Sequence, residues 1–182
     1  MFRWLSVCFE IIRPATRVSG LGEGTVTNRF DGSSVRAKLA PYGAIPFRLI
    51  IGYGFAAHGM AKWSKGPAVF AGILQAIGVP MPHLMALVTI ATEIAVGIAF
   101  LVGAFLSLAS IPAIALLLVA IFTVHLPYGF SSIKLIGVEN GRAQFGPPGY
   151  ECNLLYLAGI VALVLIGPTP WSFDSYRQRR LS

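Results

Sequence analysis

Charge is what this sequence has least of. Asp, Glu, Lys and Arg together make up 12% of the 182 residues, about half the share usual in a soluble domain. Hydrophobic residues reach 55%, with a mean hydropathy of +0.73. That composition leaves too little polar surface for a water-soluble fold and implies an integral membrane protein built as one compact bundle. Cysteine is nearly absent too. Cys8 and Cys152 are the two present and form no CxxC pair, which excludes a thioredoxin-like centre and a zinc cage; no metal site is expected. The net charge of +7 invites a nucleic-acid reading, but the basic residues sit in the terminal stretches beside apolar runs. No nucleic-acid-binding motif accompanies them, so nucleic acid is excluded as a partner. The bilayer is the expected one.

What the chain does have is apolar runs of bilayer length. A helix needs about 20 residues at 1.5 Å each to cross a hydrocarbon core of roughly 30 Å. Four stretches meet or approach this, at residues 44–63, 83–105, 108–126 and 151–167. The expected fold is an all-α membrane protein, a four-helix transmembrane bundle. A tight uncharged turn at residues 107–110 is expected between the second and third spans, with Pro112 in the first turn of the third. Between the first two spans, Val69, Phe70, Ile73, Leu74 and Ile77 follow a helical period over too few residues to cross. They predict a short interfacial helix ended by Gly78, Pro80 and Pro82.

Between the third and fourth spans lies a polar loop of some 25 residues. Its IKLIGV and RAQF segments flank Asn140-Gly141. Asn-Gly between two strand-like runs predicts a β-hairpin, because both residues take positive φ cheaply. Four spans put both termini on one side. The tails hold Arg3, Arg13, Arg17, Arg29, Arg36, Lys38, Arg177, Arg179 and Arg180; the longer loops hold only Lys65, Lys134 and Arg142. The expectation is a bacterial inner membrane, both termini cytoplasmic and the hairpin extracytoplasmic. Cys8 and Cys152 then face opposite sides, so no disulfide joins them. Tyr42, Trp171 and Tyr176 would mark the inner interface, and Trp63, Tyr128 and Tyr150 the outer one. Residues 1–43 read as a basic cytoplasmic arm, partly disordered, with a short interfacial helix near WLSVCFEII and no cleavable signal. Residues 44–167 read as the membrane domain, and residues 168–182 as a basic cytoplasmic tail.

The first span is unusual in carrying Arg48, His58 and Lys62. At ~100° per residue, Arg48, Gly52, Phe55, Gly59 and Lys62 fall within about 80° of arc, with His58 at the edge. A polar face in a membrane helix needs partners, since ionisable groups in hydrocarbon are costly. Glu93, the deepest acid, lies mid-way along the second span, while His125, Glu151 and Asn153 lie at the outer ends of the third and fourth. These residues predict a polar cavity in the outer half of the bundle. Glu93, His58 and Lys62 are its expected reacting groups; Arg48, His125, Glu151 and Asn153 are the expected substrate-binding positions. Each has a plainer reading: Lys62 and Arg48 as interfacial anchors, His125 as a solvated helix end, Glu93 in a structural pair with Lys62 or Arg48.

These same residues resemble the DoxX family of small four-helix bacterial membrane proteins. The likeness rests on Arg48 opening the first span, on His58, Gly59 and Lys62, and on the turn with Gly78 and Pro80. It continues through Glu93 with Gly97 and Gly103, and His125 before Gly129-Phe130. It closes on Gly149-Tyr150-Glu151 with Asn153, covering residues 44–167. The resemblance implies an integral membrane subunit of a redox system that binds a quinone or a small sulfur anion. It implies oxidoreductase partner subunits and no covalently bound cofactor; a homo-oligomer is a further expected assembly. Whether the subunit is itself catalytic, as part of a quinone-linked oxidoreductase, stays open. The alternative is a non-catalytic anchor or assembly protein for oxidoreductases. A third reading, a small-solute transporter, has against it a short chain with no evident inverted repeat.

Overall fold

The computed structural model describes residues 32–181. The contacts below all lie within the compact unit that begins at Arg36. Helix α1, Gly32–Leu39, and a 3-10 turn, Ala40–Tyr42, lead into α2, Ile45–Lys65. Within the arm expected to be partly disordered, residues 32–39 are helical; the WLSVCFEII segment and Cys8 lie outside the described residues. Pro46 sits in the first turn of α2, where its missing N–H would be unsatisfied anyway.

Gly66, at φ 97°, breaks α2 and lets Pro67 start α3, Pro67–Ala76. Helix α3 closes in a Schellman motif on Gly78: Gly78 N–H donates to Gln75 O and Val79 N–H to Leu74 O. Helix α4 follows at Pro82–Val102 and ends the same way on Gly103, with Gly103 N–H to Phe100 O and Ala104 N–H to Ala99 O. Helix α5 begins at Leu106. The turn between α4 and α5 is thus residues 103–105, earlier than the 107–110 expected. Pro112 consequently falls inside α5 rather than in its first turn. Helix α5 runs to Ala120 and continues through a π turn, Ile121–His125, and a 3-10 turn, Leu126–Tyr128. Among the described residues, two helical stretches, Pro82–Val102 and Leu106–Tyr128, are long and apolar enough to cross a membrane.

Helices α2 and α4 are antiparallel neighbours joined by α3. Glycines on both helices let their backbones touch. A Cβ on Gly52 would lie 2.8 Å from Leu101 N, and one on Gly97 would lie 2.5 Å from Ala56 N. Small residues at a crossing are how membrane helices gain van der Waals contact when lipid offers no hydrophobic drive. The apolar core then gathers Ile51 and Phe55 of α2, Val96 and Phe100 of α4, Leu106 and Ala113 of α5, and Ile160 and Leu163 of α6 (Glu151–Ile166). Most other large apolar side chains on the helices point outward, among them Leu108, Phe122, Leu155 and Leu165. Such an apolar exterior suits lipid as solvent.

The loop before α6 holds β1, Leu135–Glu139, and β2, Arg142–Phe145, paired antiparallel with Glu139 opposite Arg142. Asn140 at φ 49° and Gly141 at φ 72° form the two-residue turn. The register slips between Leu135 and Gly137, which leaves Ile136 as a bulge. Beneath the hairpin, the loop is clasped to the start of α6. Gly149 N–H donates to Ser131 O, Tyr150 N–H to Gly129 O and Glu151 N–H to Phe130 O. The described residues end with α7, Phe173–Leu181.

Candidate functional site

An ion pair joins Lys62 Nζ to Glu93 Oε1. Glu93 lies on the buried face of α4 and is 8% exposed. Its backbone comes close to α2 because Gly59 stands opposite; a Cβ there would sit 3.1 Å from that of Glu93. Lys62 belongs to the last turn of α2, and its four-carbon stem carries the ammonium inward to the carboxylate. Phe70 of α3 covers the pair, with Lys62 Nζ 4.7 Å from the ring centroid. The short helix expected from periodicity thus closes this spot. Phe70 was legible there only as one apolar residue in a repeat, with nothing to mark it as a lid.

The second carboxylate oxygen, Glu93 Oε2, is buried and has no hydrogen-bond partner among the described residues. A carboxylate has about four acceptor positions, and burying one empty is costly. The site therefore offers a fixed cation, an open acceptor and an aromatic wall. It can hold a donor on Oε2, take up a proton there, or present the ammonium to an incoming anion or carbonyl oxygen.

The other expected residues lie apart from it. Arg48 is 14 residues before Lys62 on α2, about 21 Å along the axis. It is 3% exposed. Its guanidinium donates from Nη1 to Thr169 Oγ1 at 2.6 Å and from Nη2 to Trp171 O at 3.2 Å. Ser172 continues that knot by donating to Thr169 O at 2.6 Å. Asp174 accepts from Phe105 N–H and Leu106 N–H at 2.9 and 3.1 Å, capping α5 from far along the chain. Arg48 thus ties the C-terminal segment to α2, and Asp174 ties it to the α4–α5 turn. Thr169, Ser172 and Asp174 carried no signal beyond Asp174 being the sole acid after Glu151.

His58 is exposed on α2. His125 Nδ1 lies 2.9 Å from Pro148 O; since a carbonyl only accepts, Nδ1 carries the proton. Glu151 Oε2 accepts from Ser132 N–H at 3.0 Å, and Ser132 Oγ accepts from Cys152 N–H at 3.0 Å. His125 and Glu151 are therefore bound to the clasp under the hairpin. Asn153 is half-buried two residues further along α6. No group of three or more His, Cys, Asp and Glu suited to a metal occurs among the described residues. Cys152 is an exposed free thiol.

A lipid-like exterior, two helices of spanning length and a buried ion pair between packed helices define a helical membrane protein. Residues 43–126 match the family model described as DoxX. Over that stretch, from the entry of α2 to the end of the π turn, the chain is similar to the DoxX family. The clasp and α6 lie beyond the matched residues. No curated protein and no solved structure matches the chain.

Proposed function

We propose that this chain is a four-span subunit of a membrane redox system in which the Lys62–Glu93 pair receives a quinone headgroup or a small sulfur anion. The observation that carries the reading is the buried, half-satisfied carboxylate held beside an ammonium under Phe70. Reducing a quinone takes two electrons and two protons. Electrons come from the sulfur anion or from a partner oxidoreductase. Lys62 stabilises negative charge developing on the carbonyl oxygen, and Glu93 passes the proton.

The four spans are α2, α4, α5 with its continuation, and α6. Helix α2 tolerates hydrocarbon because Arg48 is bonded at one end and Lys62 is paired near the other, so neither charge meets lipid alone. Both termini lie in the cytoplasm of a bacterial cell and the hairpin outside. A periplasm-only reporter fused after Ser182 should be silent, and one inserted beside Asn140 should be active. The reverse pattern would put the pair on the other side of the membrane.

The redox reading is tested by titrating purified protein with a short-chain quinone and with thiosulfate while counting protons taken up. Wild type should bind at least one of them. Glu93→Gln should fold and bind yet take up no proton, since an amide keeps the shape and cannot cycle one. Folded wild type that binds neither would leave the second reading, an anchor for soluble oxidoreductases. That reading has its own observation. Ile133, Ile136 and Val138 of the hairpin region are each at least 70% exposed, and neither outer edge of the two-stranded sheet is paired. Such edges accept a strand from another protein.

A further inference from the structure

The C-terminal helix carries a second surface, independent of the redox reading. On α7, at ~100° per residue, Phe173, Tyr176, Arg177, Arg180 and Leu181 fall within about 140° of arc. All five are exposed. The two arginines on this face are backed by aromatic rings. Arg180 lies 4.6 Å from the Tyr176 ring centroid and Arg177 lies 5.6 Å from that of Phe105. Phe105 in turn packs on Phe173 with centroids 5.9 Å apart. Trp171, 79% exposed, sits two residues before the helix and packs at a tilt against Tyr42, ring centroids 5.4 Å apart. The one acid of α7, Asp174, has both oxygens occupied by Phe105 and Leu106 N–H groups, so it does not answer the arginines.

We propose that this face of α7 binds the phosphate headgroups of anionic phospholipids. Three features point to a lipid leaflet. The charge is of one sign and complements a phosphate. The face mixes cations with aromatic and aliphatic groups, as interfacial helices do, where the rings rest at headgroup depth and the guanidiniums meet phosphate. Finally, the helix is held in place by the Arg48–Thr169–Trp171 contacts and the Asp174 cap, at the end of the bundle where α4 turns into α5. A surface fixed at the end of membrane helices lies where headgroups are.

The test uses the full chain with Trp4→Phe and Trp63→Phe, leaving Trp171 as the sole tryptophan. The protein is placed in phosphatidylcholine nanodiscs containing brominated phosphatidylglycerol or an equal share of brominated phosphatidylcholine. The expected result is stronger Trp171 quenching by the anionic lipid, weakened by salt. Adding Arg177→Gln and Arg180→Gln should raise the phosphatidylglycerol fraction needed for half-quenching on the order of tenfold. Arg177→Lys with Arg180→Lys, which keeps the charge, should retain most of the preference. Equal quenching by the two brominated lipids overturns the proposal, as does a preference that survives both glutamine substitutions. Loss of the preference on adding dilute inorganic phosphate also overturns it, assigning the site to a soluble phosphate.

Discussion

Gly97→Ala should be among the most damaging single-methyl changes in the membrane domain. The added Cβ would lie 2.5 Å from Ala56 N and 2.8 Å from Ala56 Cα. Backbone cannot step aside as a flexible side chain can, so α2 and α4 would have to separate. That separation strips contacts along the seam and pulls Lys62 away from Glu93. Overpacking of this kind costs about 3 kcal/mol, seen as a lower melting temperature in detergent and less folded protein in the membrane. Gly72→Ala is the control. It lies on exposed α3 with nothing within 4 Å of the added atom, so it should be neutral or stabilise by up to about 1 kcal/mol through helix propensity. Equal behaviour of the two variants would show that the α2–α4 contact is not the seam described.

Lys62→Met should destabilise the bundle by about 3 kcal/mol or more, because it leaves the Glu93 carboxylate buried without its cation. Combining it with Glu93→Gln should recover most of that loss, since methionine and glutamine remove both charges together. Thermal unfolding of the four proteins gives the coupling directly. Recovery of stability without recovery of proton uptake would separate the structural work of the pair from its chemistry. Additive losses would mean that Lys62 and Glu93 are not coupled.

The two halves of the pair were legible in the sequence. Glu93 is an acid in the middle of an apolar run, and Lys62 shares a helical face with two glycines; each needs an opposite charge. The helical segments were legible for a similar reason, since long apolar runs have few other uses. Contacts between side chains and distant backbone were not. The α4–α5 turn was misplaced because its closing group, Asp174, lies 69 residues after Phe105, and no local pattern encodes that cap. His125 and Glu151 read as site residues by type and depth, but their partners are the carbonyl of Pro148 and the N–H of Ser132. Every residue supplies such groups, so composition cannot single these out. Phe70 is the converse case, an ordinary apolar position whose place over Lys62 depends on the sharp turn at Gly66.

The cap supplied by Asp174 also bears on how the protein is made. A ribosome delivers α4 and α5 long before it delivers Asp174, so their hairpin forms with the first N–H groups of α5 still unclaimed. Arg48 waits longer still for Thr169 and the Trp171 carbonyl. That end of the nascent bundle therefore stays open until residues 169–174 have been made. The segment from Thr169 to Asp174 works as a clasp fastened after the helices it holds, and its sequence is under demands set by residues made far earlier.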